Sequence, residues 1–184
     1  MKIHGLYGGI VLIIGNILFF TSCNDSKDVT FQYKNFEIVQ LESFSFRSVN
    51  NNVSSIYIYE GKDDNNELSK KKFVLYNQIK LLYFFNDNPE YISAISTSSK
   101  QVIINKKIVI VDAYWLNGFG HSDLLYFFFT KEYGLLLIKF VGAEYSLIKF
   151  DEKESEIRDL INAIKEDTEF YEWGGREPIY PPND

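Results

Sequence analysis

Gln101-Val102-Ile103-Ile104-Asn105-Lys106-Lys107-Ile108-Val109-Ile110-Val111 decides how the rest of the chain is read. Two β-branched runs flank a short polar break, the pattern of two strands joined by a tight turn. So short a connection leaves no room for a crossover, so the strands run antiparallel. The pattern recurs downstream: Leu124 to Phe129 and Leu135 to Phe140 flank Thr130-Lys131-Glu132-Tyr133-Gly134, and Tyr145 to Phe150 follows Gly142-Ala143-Glu144. Gly134 stands where a positive φ is needed, which glycine adopts at no steric cost. The Leu124–Phe129 run is apolar on both faces and predicts a central strand covered on each side.

Working outward, Val29 to Tyr33, Phe36 to Phe46 and Val53 to Tyr59 also read as strands. The second shifts phase: Phe36 and Ile38 share one face, Val39 and Leu41 the other, then Phe44 and Phe46 return, which predicts a bulge or a strand covered on both faces. Phe73 to Phe85 alternates most regularly, with Phe73, Leu75, Ile79, Leu81, Tyr83 and Phe85 on one side, and predicts one half-buried strand. Residues 61–69 and 96–100 read as loops, with Lys70-Lys71-Lys72 as solvated charge.

Asp151 three residues before Glu154 suggests a capping box, and Ile157, Leu160, Ile161 and Ile164 form an apolar stripe at helical spacing, which predicts a helix over about 152–167. Phe170, Tyr171 and Trp173 then lead through Gly174-Gly175 into a proline-bearing tail, read as an extended docking segment. The expected fold is mainly β (α+β): a single antiparallel, curved meander sheet with one C-terminal amphipathic helix, in one domain spanning 29–184.

The chain carries 16 Phe, 13 Tyr and 2 Trp, enough for a core built on strands. Acidic and basic residues balance from Asn24 to Phe150, and the C-terminal segment from Asp151 carries 11 acidic against 4 basic residues. No basic footprint for nucleic acid exists.

The first 23 residues follow a different logic. Met1-Lys2 precedes an apolar run from Ile10 to Phe20, then Thr21-Ser22-Cys23 and the polar Asn24-Asp25-Ser26-Lys27-Asp28. A basic start, a short apolar middle and small residues form the pattern of a cleavable signal peptide over 1–22. Phe20-Thr21-Ser22-Cys23 resembles the lipobox of bacterial lipoproteins, with Phe where Leu is usual, and the polar stretch after it resembles that of Bacteroidota lipoproteins. The resemblance implies that Cys23, the one cysteine in the chain, becomes the lipidated first residue on a tether over 23–28. It implies membrane attachment through that lipid, a place in the cell envelope at the outer membrane, and no thiol left for disulfides or catalysis. Such a short tether holds the domain close to its membrane, and the acidic helix and tail are then expected to face away.

His121 is the one histidine outside the signal, too few for an ordinary zinc site, so no metal or cofactor is expected. Asp63-Asp64-Asn65-Asn66-Glu67 supplies oxygen ligands but lacks the glycine and closing glutamate of a calcium loop. Residues 112–123 combine Asp112, Tyr114, Trp115, Phe119, His121 and Asp123 with two glycines. The plain reading is a long hairpin loop whose aromatics cover a sheet edge. The functional one makes Tyr114, Trp115, Phe119 and His121 ligand contacts.

Three functions are open: a non-enzymatic binding or scaffold module; a surface glycan binder stacking sugars on Trp115, Phe119, Tyr114 or Trp173; and a hydrolase with His121 and Asp112 or Asp123, the weakest of the three. A hollow concave face would instead mark a carrier of lipid or a small molecule. A protein or glycan partner is compatible with the composition.

Overall fold

The computed structural model describes residues 26–62, 68–85, 91–116, 126–140 and 142–175. Ten antiparallel strands, β1 (Lys27–Asn35), β2 (Val39–Asn50), β3 (Ser54–Lys62), β4 (Leu68–Tyr76), β5 (Leu81–Phe85), β6 (Tyr91–Ile104), β7 (Lys107–Leu116), β8 (Tyr126–Thr130), β9 (Gly134–Phe140) and β10 (Ala143–Phe150), precede two helices, α1 (Glu154–Glu166) and α2 (Thr168–Trp173). Each strand pairs with its neighbour in sequence, and β1 pairs with both β2 and β10, which closes the sheet into a barrel. The fold is mainly β, antiparallel and curved, and the curvature runs to full closure.

Up-and-down order sorts the connections. The turns at 51–53, 77–80, 105–106 and 131–133 lie at one end with the start of β1; the turn at 36–38 and the strand ends flanking 63–67, 86–90 and 117–125 lie at the other. They are called the lower and upper ends below.

Aromatic rings fill the middle of the barrel. Phe31 stacks on Tyr145 at 4.8 Å and meets Tyr59 edge-on at 5.5 Å; Phe73 stacks on Phe84 at 4.8 Å and meets Phe129 at 5.5 Å; Tyr57 meets Phe129 at 4.9 Å. The outward positions of β1 to β4 are mixed: Thr30, Gln32, Lys34, Ser43, Ser45, Arg47, Glu60, Lys70 and Lys72 lie among exposed Val39, Leu41, Val49 and Leu68. The interior differs from that of a membrane-spanning barrel, which is polar. Among the described residues, no helix is long and apolar enough to cross a membrane.

α1 covers the outer faces of β10, β9 and the lower part of β6, burying Ile157, Leu160, Ile161 and Ile164. α2 packs on β8 through Phe170 and Tyr171 against Phe128. β8 is therefore buried along its whole length, with Phe127 and Phe129 inside the barrel and Phe128 under the helix.

Several local expectations change. The regular alternation from Phe73 to Phe85 is a hairpin: Asn77–Lys80 forms a turn, with Lys80 at φ 48°, and the inward parity switches after it, so Leu82 and Phe84 join Phe73 inside. A turn of four residues preserves the apparent period while reversing the chain, so periodicity alone could not detect it. The phase shift near Phe36 is also a turn. The Asn35 side chain accepts hydrogen bonds from the amides of Glu37 (2.9 Å) and Ile38 (2.7 Å), and β2 begins at Val39.

Residues 96–100 continue β6 through a bulge at Thr97, whose hydroxyl, with that of Ser98, donates to the carbonyl of Gly174 at 2.6 Å. Residues Thr168–Trp173 form a short helix capped by Asp167, which accepts from the Phe170 amide at 3.0 Å, and the proline-bearing tail read as extended lies outside the described residues. Asp151 does not cap α1. It takes the Asp28 amide at 3.0 Å, while its own amide donates to the Asp28 carbonyl at 2.8 Å.

That exchange places the start of α1 beside the start of β1, so the acidic helix climbs the barrel wall from the lower end. β1 also claims Lys27 and Asp28, which shortens the expected tether. The two-residue turn Asn105-Lys106, both at positive φ, matches the sequence reading.

Asp167 also binds the Lys100 ammonium at 2.8 Å, and this ion pair, with the Phe170 amide, holds its carboxyl below the usual range. A depressed carboxylate stabilises the fold above its unfolded value, near pH 4, and that contribution fades as pH falls through the lower folded value. Asp167→Ala should lower stability by about 1 kcal/mol at neutral pH, chiefly through the lost cap. Thermal melts at pH 7 and pH 3 check this: the deficit should shrink in acid.

Candidate functional site

Strand parity sets which charged residues enter the barrel. Glu42 shares the face of Phe44 and Phe46, and Lys71 that of Phe73 and Leu75, so both point inward near the upper end. There the Lys71 ammonium donates to Glu42 Oε2 at 2.6 Å and to the Tyr145 hydroxyl at 3.1 Å, and that hydroxyl donates to the same carboxylate oxygen at 2.8 Å. The ammonium also sits 4.7 Å from the ring centres of Phe44 and Tyr145.

Burial, then the adjacent Glu42 carboxylate, pushes the Tyr145 phenol far above its ordinary value, so it stays protonated and serves as a donor. The carboxylate, the ammonium and the phenol satisfy one another, and the two rings face the cation where its positive charge is favoured. The Lys71 amine is thus held as an ion-paired cation, not as a free nucleophile. This arrangement fixes side chains at the upper end of the aromatic interior.

A second polar group lies at the lower end. Asp112 on β7 accepts a short hydrogen bond from Ser99 on β6, and the Lys80 ammonium reaches Ser99 at 2.9 Å and Asp112 at 3.5 Å. The phenols of Tyr57 and Tyr114 close by are both pushed up by burial, with Asp112 contributing.

The structure separates Tyr114 from Trp115, the two described aromatics of that group. Tyr114 and Trp115 belong to β7 and point to opposite faces. Tyr114 is buried inside the barrel, edge-on to Phe129 at 6.5 Å, and so offers no surface platform for a sugar. Trp115 lies on the outer face, partly buried against the core. Asp112 is four residues below the end of β7, about 13 Å at ~3.3 Å per residue, and is engaged by Ser99 and Lys80. Phe119, His121 and Asp123, the acidic stretch 63–67 and Cys23 lie outside the described residues, as does the side chain of Trp173.

Glu42, Lys71 and Tyr145 were missed as a group. The signal was present, since a charge in phase with flanking core aromatics is an inward charge, but reading Lys70-Lys71-Lys72 as a solvated loop hid it. The three lysines belong to β4, and only the middle one enters the barrel.

Comparison with protein-family models and with curated proteins finds no match to this chain.

Lys71→Met should strand the Glu42 carboxylate against the aromatic wall and cost about 1–3 kcal/mol. Urea unfolding at pH 7 measures it. Glu42→Gln combined with Lys71→Met should recover part of the loss, because neither charge is then left unpaired.

Proposed function

We propose that this protein is a lipid-anchored cell-envelope protein of the outer membrane that works as a non-enzymatic binding or scaffold module. The observation that carries the reading is Phe20-Thr21-Ser22-Cys23 at the end of an apolar run, with the folded barrel starting at Lys27. Cleavage before Cys23 and lipidation of its thiol leave a tether of three residues ahead of β1. At ~3.5 Å per residue the lower end of the barrel then stands on the order of 10 Å from the membrane surface. The upper end, where the strands flanking 117–125 finish, points away.

What supports binding or scaffolding over transport is the barrel interior, whose middle is occupied by rings in mutual contact. What weighs against a hydrolase is Asp112, already committed to Ser99 and Lys80 on β7. A scaffold needs a rigid body at a fixed height above the membrane, and a closed barrel on a short tether supplies one.

Cys23→Ala should abolish incorporation of labelled palmitate and move the protein from the membrane fraction to the soluble one or to an uncleaved precursor. Undiminished label on the Cys23→Ala protein would overturn the anchor.

A further inference from the structure

We infer that the projecting end of the β6–β7 hairpin is a membrane-contacting surface whose partner is the bilayer that the chain's own N-terminus leads to. The inference rests on the anchor proposed above and adds which face of the domain lies against the lipid.

The pairing register shows the projection. β6 pairs with β5 no lower than Ile95, and β7 pairs with β8 no lower than Asp112, yet β6 and β7 stay paired to each other down to Ile104 opposite Lys107. The hairpin therefore runs about 16 Å beyond its last pairing with β8, at ~3.3 Å per residue. One face, with Val102, Ile104, Val109 and Val111, is buried in the core cluster. The other face carries Ile103, Ile108 and Ile110, which are 71%, 60% and 52% exposed. Ile103 and Ile108 sit directly opposite each other, and Ile110 follows on the same side. Ile79, in the β4–β5 turn at the same end, is 68% exposed.

Bonds tie this hairpin to the point where the chain leaves toward Cys23. Lys107 at the tip is ion-paired with Glu132 in the β8–β9 turn, and Glu132 binds Lys153 at 3.1 Å. Lys153 lies two residues from Asp151, which holds the first strand through Asp28. Tip, turn, helix start and chain exit therefore form one bonded group at one end. The exposed Lys106 at the tip complements the acidic headgroups of a bilayer, and its long stem allows the charge to stay at headgroup level while neighbouring isoleucines go deeper.

A second copy of the chain fits this patch less well. A stable dimer needs on the order of 800 Å² per partner, more than three isoleucines on one ribbon supply. A tethered patch needs much less, because the anchor holds it at high effective concentration against the lipid.

The test uses the lipidated protein reconstituted in phosphatidylethanolamine–phosphatidylglycerol vesicles containing a nitroxide-labelled phospholipid. A fluorescent dye is placed on Ile108→Cys or, at the upper end, on Glu37→Cys; lipidated Cys23 has no free thiol to compete. The expected result is strong quenching at 108, little at 37, and loss of the quenching at 108 when Ile103→Asp and Ile110→Asp are added. Equal quenching at both positions, quenching only at 37, or quenching at 108 that survives the two aspartates would overturn the inference. A dye response at 108 that follows protein concentration instead of lipid would overturn it in favour of contact between copies. Palmitate incorporation is read in parallel: palmitate present without quenching at 108 removes only this inference, whereas palmitate absent removes the anchor itself.

Discussion

The Tyr59 hydroxyl is the contact on which the barrel turns. It accepts the Leu135 amide at 2.8 Å across the centre of a buried aromatic interior, joining β3 to the first residues of β9. The bond needs a residue without a side chain beside it. Gly134 adopts φ 70°, and a Cβ there would collide with the Tyr59 hydroxyl and press on the rings of Tyr57 and Phe46. One glycine thus satisfies the reversal after β8 and the close approach of a phenol from the opposite wall. The phenol is fully buried, so its ionisation is pushed far above the ordinary range, and its lone pair stays available to the amide. Around it Phe31, Phe46 and Phe73 take their edge-on or tilted positions, and the rest of the aromatic interior follows.

Most of this architecture was legible from residue types and turn lengths. Asn105-Lys106 and Gly134 mark reversals by local chemistry alone, and the stripe from Ile157 to Ile164 marks a helix by its period. What stayed hidden depends on contacts distant in sequence. Closure depends on β1 meeting β10, and nothing near Val29 announces Phe150 as its partner. The Asn77–Lys80 turn was hidden for another reason: its residues keep the alternation going, and none is glycine or proline. Asp151 followed a helix-start pattern, but the Asp28 backbone competes for its side chain and wins.

The polar groups inside the barrel show the same division. The phase of Glu42 and Lys71 could be read from Phe44 and Phe73, but that they converge with Tyr145 on one oxygen follows only from the closed sheet. Tyr114 and Trp115 looked like one aromatic pair because they are adjacent in sequence, and a strand sends adjacent side chains to opposite faces. Reading the strand two residues further would have split them.

Because β1 is both first in the chain and hydrogen-bonded to β10, the barrel has a built-in order of completion. The amide of Asp28 finds its partner 123 residues later. Until Phe150 has been made and delivered, β1 keeps one open edge and the aromatic interior lacks a wall. Contacts this distant in sequence form late and slowly, since their loops must close before any pairing is gained. Placing the last stave next to the first delays sealing until nearly the whole chain has been synthesised.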